Sequence, residues 1–253
     1  MQLTFLGTGT STGVPTIGCH CTTCSSTDPR DQRLRTSALL TDGSHRLLID
    51  CGPDLRQQLL TNHIDALDAC IITHYHYDHV GGIDDLRKFS YPNGFDIYAN
   101  ADTIDVLRSN VPYCFAEHPY PGAPVLHPHV LEPFQACDIA GFNVVPLPIN
   151  HYLMDILGFK IGNLAYITDA KVIPPETIEA IRDIDTLVVN ALRPKEHISH
   201  MNLTDALNVI NVVKPRQAWL VHICHDMGLY AERNSSLPDG VNLAYDNLTI
   251  EIP

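Results

Sequence analysis

Short apolar or alternating runs, each bounded by Gly, Asp, Asn or Pro, recur along the chain with the period of β-strands. They predict strands over Gln2–Leu6, Ser37–Asp42, Arg46–Asp50, Ala69–Ile72, Asn143–Leu147, Leu164–Ile167, Thr186–Val189, Ala218–Val221 and Leu248–Ile252. Helical spacing predicts helices over Asp54–Asn62, Asp102–Ser109, Pro175–Ile181 and Leu203–Val213. In the last, Leu203, Leu207, Ile210 and Val213 share a face, Asn202 is placed to cap the start, and Pro215 follows the end. The polar, Pro- and Tyr-rich stretch 82–133 has no clear period and reads as a flap inserted at an active site, with Phe89, Tyr91, Tyr113 and Phe115 either lining a pocket or filling a core beneath it. No repeat or linker divides the chain, so one α/β domain over residues 1–253 is expected.

Composition narrows the function. Hydrophobic residues make up 45% and charged residues 18%, which fits a globular fold. The opening MQLTFLGTGT lacks a basic, apolar leader, and no run reaches the roughly 18 apolar residues that a membrane helix needs. The expectation is a cytoplasmic protein, in which eight cysteines serve as metal ligands or core residues and not as a disulfide scaffold. A net charge of −13 argues against a broad nucleic-acid footprint but leaves room for a small anionic substrate. Fourteen histidines, many beside Asp, point to metal chemistry.

The densest cluster is HYHYDHVGG, which carries His74, His76, Asp78 and His79 where a predicted strand ends. Alternate residues of an extended segment point the same way, so His74 and His76 can grip one ion. Asp78 and His79, at the turn that follows, can reach a second. Further strand-like runs end in His151 (PLPINH), Asp169 (LAYITDA) and His222 (AWLVHICH), and LLIDCG ends in Asp50.

This H-x-H-x-D-H signature resembles the metallo-β-lactamase superfamily, and the match extends over nearly the whole chain. The resemblance implies a four-layer αββα sandwich and two divalent metal ions, Zn2+ or Mn2+. One ion would take His74, His76 and His151, the other Asp78, His79 and His222, with Asp169 bridging them. Asp78 would count as catalytic as well as ligating, and Asp50 would orient a ligand histidine. Histidine at position 76, where the diiron branch carries Glu, favours hydrolysis; Asp at 169, where the true β-lactamases carry Cys, speaks against an antibiotic hydrolase.

The opening FLGTGTSTGVPT with Arg35, Thr36 and Ser37, and the segment ISHMNLTDA with His200, resemble the tRNase Z-related phosphodiesterases. In that branch the histidine at the place of His200 is catalytic, protonating a leaving oxygen or bracing a phosphoryl oxygen. The Gly-Thr run itself reads more simply as a turn than as a phosphate cradle. Between His151 and Asp169 there is room for two strands and a turn but not for a tRNA-gripping arm, so a tRNA-processing endonuclease is the distant reading.

GCHCTTC supplies Cys19, Cys21 and Cys24, and His225 stands three residues beyond His222. Together they make a Cys3His set suited to a closed, structural zinc, with Cys224 and His20 as alternative ligands. The pairing resembles the PhnP-type phosphodiesterases. Cys51, Cys70, Cys114 and Cys137 read as core or loop residues. The resemblance implies hydrolysis of small phosphodiesters, cyclic ones among them, by a hydroxide shared between two metals, in a homodimer without membrane or nucleic-acid partners. The rivals are a glyoxalase II-like thioester hydrolase, which shares nearly all the metal ligands, and a metal-bound binding module without activity.

Overall fold

The structure, a computed structural model, describes residues 1–253. Its strands are β1 (Gln2–Gly7), β2 (Ser37–Asp42), β3 (His45–Ile49), β4 (Ala69–Ile71), β5 (Phe95–Ala99), β6 (Leu126–Val130) and β7 (Cys137–Ile139), followed by β8 (Phe142–His151), β9 (Met154–Ile161), β10 (Leu164–Ile167), β11 (Thr186–Asn190), β12 (Gln217–Val221), β13 (Val241–Leu243) and β14 (Thr249–Glu251). The helices are α1 (Leu55–Thr61), α2 (Tyr77–Val80), α3 (Ala101–Asn110), α4 (Pro175–Ala180), α5 (Leu203–Val213) and α6 (Tyr230–Ser235).

The strands form two seven-stranded sheets, ordered β14-β1-β2-β3-β4-β5-β6 and β13-β12-β11-β10-β9-β8-β7. Alternation along each strand gives every sheet two apolar faces, and both are covered. The inner faces meet in one core, where Leu3, Phe5, Leu40, Leu47 and Ile71 of the first sheet pack with Val144, Phe159, Tyr166 and Val188 of the second. Outside the first sheet, Leu55 and Leu59 of α1 and Ile104 and Leu107 of α3 cover Leu48, Cys70 and Ile97. Outside the second, Ala206, Ile210 and Val213 of α5 cover Leu187, Val189 and Leu220. The result is the expected four-layer αββα sandwich of the metallo-β-lactamase fold.

The expected flap is corrected by this topology. Within 82–133, β5 and β6 pair in parallel and complete one edge of the first sheet, and α3 packs beneath them. The period was hidden because β6 carries Pro128, which a strand accepts only where its missing N–H is not needed; β6 is the edge strand of its sheet. Phe89, Tyr113 and Phe115 pack against the core on that side, whereas Tyr91 is exposed. The strands β7, β9 and β13 also lie outside the predicted set.

The end of the second sheet that bears the site depends on α5. Asn202 accepts a hydrogen bond from the Asp205 N–H at 2.8 Å, and the Asp205 carboxylate accepts one from the Asn202 N–H at 3.3 Å, a reciprocal cap that fixes where the helix begins. Replacing Asn202 with Ala is expected to cost about 1 kcal/mol of stability. In urea unfolding this appears as a lower midpoint with an unchanged slope; an unchanged midpoint contradicts the role given to the cap.

Candidate metal centre

Apart from Asp78 and His79, which lie on α2, the predicted site residues of the His/Asp centre stand where strands end and the chain turns. Asp50 follows β3, His74 follows β4, His151 closes β8, Asp169 follows β10 and His222 follows β12. Three of these exits use left-handed backbone in non-glycine residues, with φ of 62° at Asp50, 58° at Asp169 and 55° at His222. Such conformations cost on the order of 1 kcal/mol or more each and are kept where surrounding structure fixes them. Here they swing each side chain inward from its strand end. Gly52 must be glycine for a related reason: a Cβ there would collide with the Asp78 carbonyl, so the turn after Asp50 could not pack against α2.

Two groups of ligand atoms result, each within 4.8 Å of one another: His74, His76 and His151, and Asp78, His79, Asp169 and His222; a third, His151, Asp169 and His200, overlaps both. His74 Nε2 and His76 Nδ1 converge to 3.0 Å. One oxygen of Asp169, Oδ2, lies 3.9 Å from His74 Nε2; the other, Oδ1, lies 3.4 Å from His79 Nε2 and 3.0 Å from His222 Nδ1. A single carboxylate thus faces both groups.

Hydrogen bonds on the far ring nitrogens fix which nitrogen faces inward. His79 Nδ1 donates to Asp50 Oδ2 at 2.8 Å, and Asp50 is itself held by the N–H and hydroxyl of Thr73. His151 Nδ1 donates to the Ser199 carbonyl at 2.9 Å. His222 has its far nitrogen, Nε2, 3.1 Å from the Thr10 hydroxyl, while the Thr36 hydroxyl lies 3.3 Å from Nδ1, the nitrogen that faces Asp169.

The electrostatics of the cluster favour a bound cation. Asp50, Asp78 and Asp169 are buried together, and their ion-pair partners are histidines, never Lys or Arg. Burying carboxylates without a counter-charge is costly. Burial opposes a charge on His79, yet Asp169, Asp50 and Asp78 outweigh it and hold its pKa well above the ordinary value. Burial would raise Asp169, but His222 and His79 hold it well below the usual carboxylate range. His79 Nε2, fully buried, has no hydrogen-bond partner. An inward-facing nitrogen and three buried carboxylates, one of them (Asp169) shared by two nitrogen groups, fit divalent metal binding.

His200 stands over the same centre, its Nδ1 3.8 Å from Asp169 Oδ2 and its ring 4.8 Å from that of His151. This Nδ1 is buried without a partner. Burial, then the neighbouring His222, lowers its pKa to about 3.

The second cluster assembles as the sequence suggested. Ligand atoms of Cys19, Cys21, Cys24 and His225 lie within 4.8 Å of one another, with Cys19 Sγ and Cys21 Sγ at 3.4 and 3.2 Å from His225 Nδ1. In a tetrahedral zinc site of ordinary bond lengths, ligand atoms stand about 3.5–3.8 Å apart, so this set fits a closed site. His20 and Cys224 lie outside it. The Cys24 N–H, and after it His225, lower the Cys21 thiol to about 6, whereas burial pushes Cys24 up to about 11. Cys51, Cys70 and Cys114 are core residues and Cys137 is partly buried on β7, as expected.

Sequence reasoning gave no ligand-holding role to Thr10, Thr36, Thr73, Ser199 or His197, whose ring lies 5.1 Å from that of His200. Hydroxyls and carbonyls carry no spacing signature. His197 did leave one, the H-x-x-H spacing it makes with His200.

The fold and the two ligand groups define a hydrolase of the metallo-β-lactamase fold. The chain belongs to the beta-lactamase superfamily, whose domain matches residues 45–223 and so spans all seven ligands of the His/Asp centre. A solved structure described as a new diphosphatase from the PhnP family is 37% identical and superposes over 100% of this chain and 98% of its own, with a TM-score of 0.93. Zn2+-bound PqqB from Methylobacterium extorquens shares the fold at 20% identity, covering 100% of each chain with a TM-score of 0.82. Among curated proteins, an octanoyltransferase of Porphyromonas gingivalis (strain ATCC BAA-308 / W83) is 43% identical over 250 residues, 98% of this chain and 51% of that protein. The chain therefore spans about half the length of that relative.

The cysteine cluster is tested by metal content. Cys21→Ser is expected to lose one tightly held zinc per chain and stability with it, because a closed thiolate site contributes folding free energy. Elemental analysis that finds the metal content of this variant unchanged contradicts the assignment.

Proposed function

We propose that the chain is a metal-dependent phosphodiesterase acting on small phosphodiesters. The observation that carries this reading is His200: a largely buried imidazole with a buried, unpartnered Nδ1, set against the shared carboxylate of the His/Asp cluster. His74, His76 and His151 would hold one ion, Asp78, His79 and His222 the other, and Asp169 both. When bound, divalent ions supply Lewis-acid activation of water and offset charge on phosphoryl oxygens. That offset is what lets a chain of net charge −13 receive an anion.

The chain's own residues do the rest. Asp50, Thr73 and the Ser199 carbonyl keep the ligand imidazoles in one tautomer, so the centre is organised before substrate arrives. His200 is neutral in the free site because burial and His222 disfavour its charged form. A phosphodiester anion beside it works in the opposite direction and favours the proton. His200 is then placed to give that proton to the departing oxygen. Similarity to a diphosphatase of the PhnP family supports the phosphorus chemistry. A diester of diphosphate presents the same reacting unit, a phosphorus atom with two bridging oxygens.

The name of the octanoyltransferase relative favours a second reading, chemistry on an acyl thioester. That name belongs to a protein about twice as long, of which this chain matches one part. The stretch between His151 and Asp169, where a tRNA-gripping arm would be inserted, is taken up by the β8–β9 turn, β9 and the turn into β10.

Metal-loaded protein is expected to hydrolyse bis(p-nitrophenyl) phosphate and to leave octanoyl and glutathione thioesters unchanged. Turnover of a thioester without turnover of the diester overturns the proposal. Replacing His200 with Ala should cost about 10²–10⁴-fold in kcat on an alkyl diester. The loss should be much smaller on bis(p-nitrophenyl) phosphate, whose phenolate leaves without a proton. Equal losses on both substrates would assign His200 to phosphate binding instead.

A further inference from the structure

We infer that His197 is a positioning residue of this centre, acting through Ser199 on the ligand His151; the inference rests on the metal-centre reading above. Residues 191–202, between β11 and α5, form neither helix nor strand, so specific hydrogen bonds must decide where this loop lies. Its two ends are tied to each other and to the strand exit at Asp169. Leu192 N–H donates to Met201 O at 3.0 Å, Leu203 N–H to Arg193 O at 2.9 Å and Met201 N–H to Ala170 O at 2.8 Å.

Between these ties the loop is held through Ser199. His197 Nδ1 accepts from the Ser199 N–H at 3.3 Å, and the Ser199 hydroxyl lies 3.3 Å from the same nitrogen. The Ser199 carbonyl accepts from His151 Nδ1 at 2.9 Å. The two peptide planes flanking Ser199 are therefore fixed from opposite sides, one by His197 and one by His151. The second plane also leads directly into His200. Peptide planes are rigid, so only the φ and ψ of Ser199 could let the carbonyl drift from His151, and the His197 bond restrains them.

The consequence reaches the metal ligands. While the Ser199 carbonyl accepts from His151 Nδ1, that nitrogen keeps its proton and Nε2 keeps the lone pair that faces His74 and His76. Freed from His197, Ser199 would hold His151 less well, and His200 would lose its fixed stance beside it. The rings continue the series outward: His151 to His200 at 4.8 Å and His200 to His197 at 5.1 Å. The role follows from which atom of His197 is used. Nδ1 is the acceptor, so a residue that places an acceptor at that point should replace it.

The test uses full-length protein stripped at the His/Asp centre and titrated with Zn2+ against a chromophoric chelator. His197→Ala is expected to weaken binding about 10–100-fold, the usual loss when a partner behind a ligand is removed. His197→Asn, whose amide oxygen falls near the place of Nδ1, should bind close to wild type. His197→Gln, whose amide falls nearer Nε2, should resemble His197→Ala. Retention of one zinc by the cysteine cluster in every variant shows that the fold is intact. If His197→Ala does not fold, the Asn and Gln variants decide. Wild-type affinity in His197→Ala, or equal binding by Asn and Gln, overturns the inference. Failure of the wild-type centre to bind Zn2+ overturns the metal-centre reading beneath it.

Discussion

Three carboxylates buried in one place, with imidazoles as their neighbours, set the terms for the rest of this structure. Asp50, Asp78 and Asp169 could not remain ionised there without concentrated positive charge. The fold answers by bringing strand ends together. β3, β4, β8, β10 and β12 each deliver one residue to the same end of the sandwich, and α2 delivers Asp78 and His79 across the turn that Gly52 permits. The strained backbone at Asp50, Asp169 and His222 is the local cost of that convergence.

The N-terminal segment serves the same centre from the other side. Gly9 lies between Arg35 and Ile223 in bridge pairs, and a Cβ on it would press on Arg33, so the Gly-Thr run is a tight turn against the strand exit of His222. Thr10 and Thr36 then reach the two ring nitrogens of His222. The cysteine loop that follows meets His225, three residues on, so the segment carrying His222 is gripped on both sides. Deeper in the same loop, the buried Arg33 donates to Thr8 and to the Ala244 carbonyl, and Asp31 accepts from the Tyr230 N–H, which ties the loop to the start of α6 and to the residue after β13. The His/Asp cluster and the cysteine cluster are thus parts of one mechanical unit.

Much of this was legible in the sequence, because ligands need particular residue types at particular places. His74, His76, Asp78 and His79 gave a local spacing, and His151, Asp169 and His222 each followed an apolar run. The cysteines needed His225, which was legible only because His222 was already assigned. What remained hidden was of two kinds. Pro128 and the aromatic residues masked β5 and β6, since an edge strand can carry a proline that a central one cannot. The residues behind the ligands, Thr10, Thr36, Ser199 and His197, act through single hydroxyls, carbonyls or ring nitrogens brought together by long-range contacts. Apart from the H-x-x-H spacing of His197 with His200, no spacing along the chain records those.

The central claim is that the His/Asp centre holds two metal ions bridged by Asp169 and the cysteine cluster holds one more. Anomalous diffraction at the metal edge, from crystals grown with Zn2+, addresses it directly. The account predicts two peaks flanking the Asp169 carboxylate, one on the side of His74, His76 and His151 and one on the side of Asp78, His79 and His222, with a third peak among Cys19, Cys21, Cys24 and His225. A map with no peak beside Asp169, or with ions bound elsewhere while these residues keep their present geometry, would contradict it.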